Sequence, residues 1–226
     1  MFNDDLIQVY KNTIDREYCD YIIETFEDST NKIQGLSGGG VNLHMKKSVD
    51  LMINDTMDDP RWGGIYNYLR ENLLGNFVEY ITKNPYMIKD RSDNPQPANE
   101  VCMLRTAQSS YKSSSNGNPH MQMQRYHDGE GYYQWHYENE GGNSAKRQMF
   151  FIYYLNDVNT GGETEFQFNR RKVAPTTGTL LVAPAFWTHR HKGYPPLNGE
   201  QKYIITGWFE MADSFISDEF PRQYFA

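Results

Sequence analysis

The chain has 226 residues, and its 29 acidic side chains outweigh 22 basic ones to leave a net charge of -7 and a pI near 5.4. Such a surface repels phosphate backbones, so no nucleic-acid partner is expected, and no apolar run approaches the roughly 18 residues of a membrane span. Two cysteines without close spacing, Cys19 and Cys102, argue against a disulfide framework or a thiolate metal site, and read as buried thiols.

The N-terminus MFNDDLIQVYKN lacks the basic and apolar regions of a signal peptide, so a cytoplasmic protein is expected. Residues 6–10 (LIQVY) read as a strand. Asp15 is placed to cap a helix over REYCDYIIETFED, with Tyr18, Ile22 and Phe26 on one face. The glycine-rich stretch 35–41 lacks the lysine and hydroxyl residue of a phosphate loop and reads as a connection. KKSVDLMI (46–53) reads as a strand. A second helix is predicted over 60–83, with Pro60 in its first turn, Ile65, Tyr68, Leu69 and Leu73 at helical spacing, and Gly75 as a point of interruption.

Residues 89–99 read as a loop, VCMLRTA as a strand, and the polar stretch 109–120 as a mobile loop within one domain. From 121 the pattern is β: MQMQRY, RQMFFIYYL (147–155), GGETEFQF (161–168), RKVAP, GTLLVAP (178–184) and QKYIITGWFEM (201–211). Short strands with turn signals between them predict a sandwich or barrel. The expected fold is mainly β with N-terminal helices: one domain over 1–226, a helical support region (1–100) packed on a jelly roll (101–226).

His136-Tyr137-Glu138 is the sharpest local feature. Side chains alternate faces along a strand, so the imidazole and the carboxylate two residues apart enter one space. A third ligand from another strand would complete a two-histidine, one-carboxylate triad, the donor set of non-haem iron(II) oxygenases. His189 and His191 both qualify by position.

The surrounding text resembles the prolyl-4-hydroxylase-like branch of the 2-oxoglutarate oxygenases. The resemblance rests on Tyr126 and Gly129, on Tyr133, on Arg147 leading to Tyr154-Leu155-Asn156-Asp157, and on Gly161-Gly162-Glu163-Thr164-Glu165-Phe166. It continues through Pro175 and Gly178, then His191, Pro195, Gly199, Lys202 and Trp208. It covers about 126–209, with a weaker match around the N-terminal strand and helix and Lys47-Ser48. The family's proline and glycine spacing after its second histidine fits His191 and not His189. His189 is left as a group behind the ligand or a substrate contact.

The resemblance implies a double-stranded β-helix of cupin type, with His136, Glu138 and His191 as catalytic metal ligands. It implies Fe(2+), 2-oxoglutarate and O2 as the reaction's components, with ascorbate as a supporting reductant. Tyr133 and Lys202 are expected to hold 2-oxoglutarate, and Arg147 either to join them or to cap the barrel. The implied reaction is hydroxylation of an aliphatic C–H bond, of a prolyl residue in a peptide or of a related amino acid. Arg105, Tyr111 and Lys112 are expected on the substrate side, while Trp135 and Tyr137 point away from it.

Three departures stand out. The carboxylate is Glu138 where the family usually has aspartate, Phe150 replaces a frequent threonine, and Lys202 lies one residue further from the histidine than usual. They keep open a non-catalytic jelly-roll binding protein, and a cupin-like enzyme using another metal is a second alternative.

Overall fold

The computed structural model describes residues 6–37, 40–84, 104–106 and 121–211. The loops expected at 89–99 and 109–120, and with them Cys102, Tyr111 and Lys112, lie outside these residues.

Two helices form where the periodicity placed them. In α1 (Arg16–Asp28), the Asp15 carboxylate accepts from the Tyr18 N–H at 2.7 Å, satisfying one of the first turn's free donors. Ile22 and Phe26 are fully buried on its inner stripe. In α2 (Pro60–Lys83), Asp59 caps the Arg61 N–H and Pro60 supplies a first position that needs no donor. Gly75 does not interrupt α2. A mid-helix glycine costs about 1 kcal/mol, and burial of Leu73, Leu74 and Phe77 around it outweighs that.

Among the described residues the strands form two antiparallel sheets. The larger has eight: β1 (Gln8–Tyr10), β2 (Ile33–Gln34), β3 (Val49–Met52), β4 (Leu104–Thr106), β5 (Met121–Tyr126), β7 (Arg147–Tyr154), β10 (Thr179–Pro184) and β12 (Lys202–Met211). They run β1-β10-β7-β12-β5-β3-β2, with β4 paired to the end of β12. The smaller sheet runs β6-β11-β8-β9, from β6 (Tyr132–His136), β8 (Thr164–Phe166), β9 (Lys172–Val173) and β11 (His191–Gly193). This is the jelly roll expected from the sequence.

The unbroken apolar run of β7 has a direct cause: both of its faces are buried. Met149, Phe151 and Tyr153 join the core beneath α1 and α2, while Phe150, Ile152 and Tyr154 join a second core between the sheets. The helices thus back the outer face of the large sheet and leave its inner face to line a cavity.

Three local expectations need correction. The strand expected over 46–53 begins only at Val49, because Lys46 turns inward to a buried carboxylate. The strand bearing His136 ends there, so Glu138 lies just beyond it, its backbone N–H donating to Ala185. His189 is not on a regular strand with His191. It closes a 3-10 turn over Trp187–His189, and β11 starts after it. Among the described residues, no helix is long and apolar enough to cross a membrane.

Candidate active site

β6 and β11 pair with His191 directly opposite His136. The two imidazoles therefore project side by side from the small sheet, ring centroids 4.5 Å apart. Glu138 joins them from beyond the strand end. Its Oε1 lies 3.5 Å from His136 Nε2 and 3.3 Å from His191 Nε2. Among the described residues, this is the group of histidine, cysteine and acidic side chains that could hold a metal ion.

The protons of both imidazoles are accounted for. His136 Nδ1 lies 2.9 Å from the Gln134 carbonyl and His191 Nδ1 lies 3.0 Å from the His189 carbonyl. A carbonyl can only accept, so each Nδ1 donates, which leaves Nε2 as the nitrogen each ring can offer to a metal. Burial and the neighbouring His136 push the His191 pKa down, which favours the neutral ring. The two Nε2 atoms and the Glu138 carboxylate oxygen thus lie within 4.8 Å of one another. Two imidazole nitrogens and one carboxylate oxygen are a donor set that would hold a divalent cation. The donor set fits a divalent iron-type ion.

The groups behind the donors are fixed. Tyr132 stacks on His136 at 3.8 Å and Phe150 stacks on His191 at 4.4 Å. Phe150, where the family often has threonine, thus serves as a wall for the imidazole. Trp208 Nε1 donates to Glu138 Oε2 at 2.7 Å. Arg147 approaches the same oxygen at 3.4 Å and lies 3.7 Å over the Trp208 ring. One carboxylate oxygen is so held by the large sheet while the other faces the imidazoles. His189 contributes its carbonyl to this arrangement, while its ring turns to Thr188.

A cavity of about 880 Å³ opens beside the three donors, lined by the inner faces of β5, β7 and β12. Lys202 enters it from the start of β12. Its side chain is buried at 3% exposure, and Nζ donates to the carbonyls of Gly162 at 3.0 Å and Tyr194 at 3.1 Å and lies 4.7 Å over the Tyr126 ring. All of these partners are neutral. Burial drives its pKa down to about 7, and Glu163 opposes the shift. A buried ammonium whose hydrogen-bond partners are all uncharged is a site that an anionic ligand would stabilise.

Tyr133 is not part of this arrangement. It stands 36% exposed and donates to the Gly129 carbonyl at 2.7 Å. The parity that brings His136 inward sends a residue three positions earlier outward. Its neighbour Tyr132 lines the cavity instead, as does Tyr126 on β5. Sequence reading missed Tyr126, Tyr132 and Trp208 as site residues, although Tyr132 lies an even number of positions before His136 and was available to the same parity rule.

Residues 121–210 match the family model of the 2OG-Fe(II) oxygenase superfamily. No curated protein matches the chain. Among solved structures, it is similar to the viral collagen prolyl hydroxylase of Paramecium bursaria Chlorella virus-1, solved as a 2OG complex. That likeness has a TM-score of 0.60 and 16% identity over 92% of this chain and 97% of the other. A Trichoplax adhaerens prolyl hydroxylase, in complex with a hypoxia inducible factor oxygen degradation domain peptide fragment, aligns with a TM-score of 0.66. It shares 17% identity over 92% of this chain and 85% of the other. A Pseudomonas putida prolyl-4-hydroxylase gives 0.56 at 13% identity, over 91% and 92%. Residues 121–210 thus match the 2OG-Fe(II) oxygenase superfamily model, and the fold of the chain is the one seen in these prolyl hydroxylase structures.

Proposed function

We propose that the chain is an Fe(II)- and 2-oxoglutarate-dependent dioxygenase that hydroxylates an aliphatic C–H bond, of a prolyl residue in a peptide or of a related amino acid. The observation that carries this reading is the convergence of the Nε2 atoms of His136 and His191 on one oxygen of Glu138. In it, His136, Glu138 and His191 hold the metal and Lys202 receives the distal carboxylate of 2-oxoglutarate. Tyr126, beneath the Lys202 ammonium, walls that end of the cavity.

When bound, ferrous iron with dioxygen converts 2-oxoglutarate to succinate and carbon dioxide, one oxygen atom going to succinate and the other to the substrate C–H bond. The protein's own part is orientation and exclusion of water. The carbonyls of Gln134 and His189 fix both imidazole tautomers. Trp208 and Arg147 keep one Glu138 oxygen occupied. Phe150, Ile152 and Ile204 give the space between the donors and Lys202 an apolar wall. No side chain is needed as a general base.

In this reading residues 1–226 form a single oxygenase domain, working in the cytoplasm with ascorbate as reductant. The buried thiol of Cys19 accords with a reducing compartment. The test is twofold. The purified protein should bind Mn(II) and then 2-oxoglutarate by calorimetry, and with Fe(II) and ascorbate should release succinate. Binding of both without succinate, even with peptide present, would favour the non-catalytic jelly roll.

A further inference from the structure

The two ends of the cavity differ in charge, and strand register locates them. Lys202 lies opposite Tyr126 at one end of the β5–β12 pair. Thr206 lies opposite Gln122 towards the other end, where Trp208 holds Glu138. Met52 of β3 faces Gln122 from the other side, and Asp55 follows in the 3-10 turn Ile53–Thr56. From the small sheet, the stretch beyond β6 brings Glu140 to the same cavity. Asp55 and Glu140 are both exposed and both line the cavity, so they stand at its mouth, one from each sheet.

The other charged groups of the lining have counterparts. Lys46 Nζ donates to the buried Asp50 at 2.6 Å, and Arg147 lies 3.4 Å from Glu138, which belongs to the metal site. Lys202 is reserved for the distal carboxylate of 2-oxoglutarate. Asp55 and Glu140 are left over, and among the described residues neither has a cationic partner. The field of Glu140 reaches inward: burial, then Glu138 and then Glu140 push the phenol pKa of Tyr132 up, and Tyr132 lines the cavity. Gln122, only 6% exposed, adds a further acceptor. Its NH2 donates to Asp50 at 2.6 Å, because a carboxylate can only accept, and its oxygen is left without a protein partner among the described residues. Ile33 and Met52 make the same region partly apolar.

We propose that Asp55 and Glu140 are specificity-determining residues that select a polypeptide substrate with lysine or arginine beside the residue to be oxidised. Such a side chain has an aliphatic stem, which suits Ile33 and Met52, and a charged head, which suits a carboxylate. Its several N–H groups need acceptors, and Gln122 Oε1 supplies one more. The two carboxylates come from different sheets, so a chain crossing the mouth meets one on either lip. An acidic neighbour would be repelled there, and the net charge of -7 acts in the same direction. Exposed charges are screened, so they rank substrates against one another and do not by themselves hold them. The inference rests on the oxygenase reading above and adds a requirement on the neighbours of the target residue.

The experiment uses the full chain with Fe(II), 2-oxoglutarate and ascorbate. Three pools of short capped peptides share a varied central residue and differ in its neighbours: lysine and arginine, serine and alanine, or aspartate and glutamate. Mass spectrometry reads one added oxygen atom. We expect the basic pool to be oxidised roughly 10-fold better than the neutral one, an advantage that shrinks as salt rises from about 50 to 500 mM. The acidic pool should be poorest. Asp55→Asn and Glu140→Gln should each lower kcat/KM on the best basic peptide roughly 3- to 5-fold, mainly through KM. Asp55→Lys with Glu140→Lys should turn the preference towards the acidic pool. Mn(II) and 2-oxoglutarate affinities of all variants should match the wild type, which shows that they fold. A wild-type preference for neutral or acidic neighbours, or a basic preference that charge reversal leaves in place, would overturn the proposal. So would the absence of any oxidised peptide from a wild type that binds Mn(II) and 2-oxoglutarate. Failure to bind metal or 2-oxoglutarate would instead overturn the oxygenase reading beneath it.

Discussion

His136 and His191 are direct partners across two strands 55 positions apart, and each gives its Nδ1 hydrogen to the carbonyl two residues before it. The same local device is used twice, so both rings present the same nitrogen to the same point. It depends on backbone at positions 134 and 189 and not on the side chains there.

That dependence separates the three histidines. His136→Ala and His191→Ala should each weaken Mn(II) binding by more than ~100-fold, beyond the range of losses in outer groups. His189→Ala keeps the carbonyl that orients His191 and should stay within about tenfold of wild type. Calorimetric titration of the three variants checks this, with 2-oxoglutarate-dependent succinate release expected only from the last.

Restoring the family's usual aspartate should not help. Glu138 reaches both imidazoles with one oxygen while Trp208 holds the other. Glu138→Asp, one methylene shorter, cannot keep both contacts, and we expect metal affinity to fall about 10- to 100-fold. Trp208→Phe keeps the ring and loses the indole donor, and should cost a similar factor. The double variant should be less than additive, because both changes act on the same oxygen.

Lys202 gives a pH signature. Its folded-state pKa is lowered to about 7 from 10.5 by burial. Between these values the unfolded chain holds a proton that the folded chain has lost. The lysine's contribution to stability therefore rises with pH across that window, and the full cost of a buried charge is present below it. Lys202→Met should raise the melting temperature of the ligand-free protein at neutral pH and flatten its rise towards pH 10. It should also weaken 2-oxoglutarate roughly 10- to 100-fold. Binding the dicarboxylate to the wild type at pH 8 should take up close to one proton, measured by calorimetry in buffers of different ionisation enthalpy.

The Lys46–Asp50 pair is the most deeply buried ion pair described, at 2% and 0% exposure. Lys46→Met leaves a buried carboxylate without its cation, which costs about 3–5 kcal/mol. For a chain of this size the melting temperature should fall on the order of 10 °C. Adding Asp50→Asn should recover part of the loss, since the remaining charge is what Lys46→Met exposes.

What the sequence made legible was local. Periodicity located α2 to its observed ends, and strand parity put His136 and Glu138 in one space. Motif likeness pointed to Tyr133, which the same parity places on the face opposite His136. Tyr126 and Trp208 were not legible in this way. Each acquires its role from register between strands distant in sequence, with Lys202 opposite Tyr126 and Trp208 opposite Phe150. His189 stayed ambiguous because the 3-10 turn that takes it off the strand leaves no periodic trace.

Trp208 and Phe209 are consecutive on β12, one holding Glu138 and the other stacked at 4.0 Å on Phe77 of α2. Any shift of α2 is therefore transmitted, through a single peptide unit, to the indole that anchors the carboxylate. The precision of the three donors derives in part from a helix that contributes no atom to them, and loosening its far side would blunt the chemistry before it unfolded the chain.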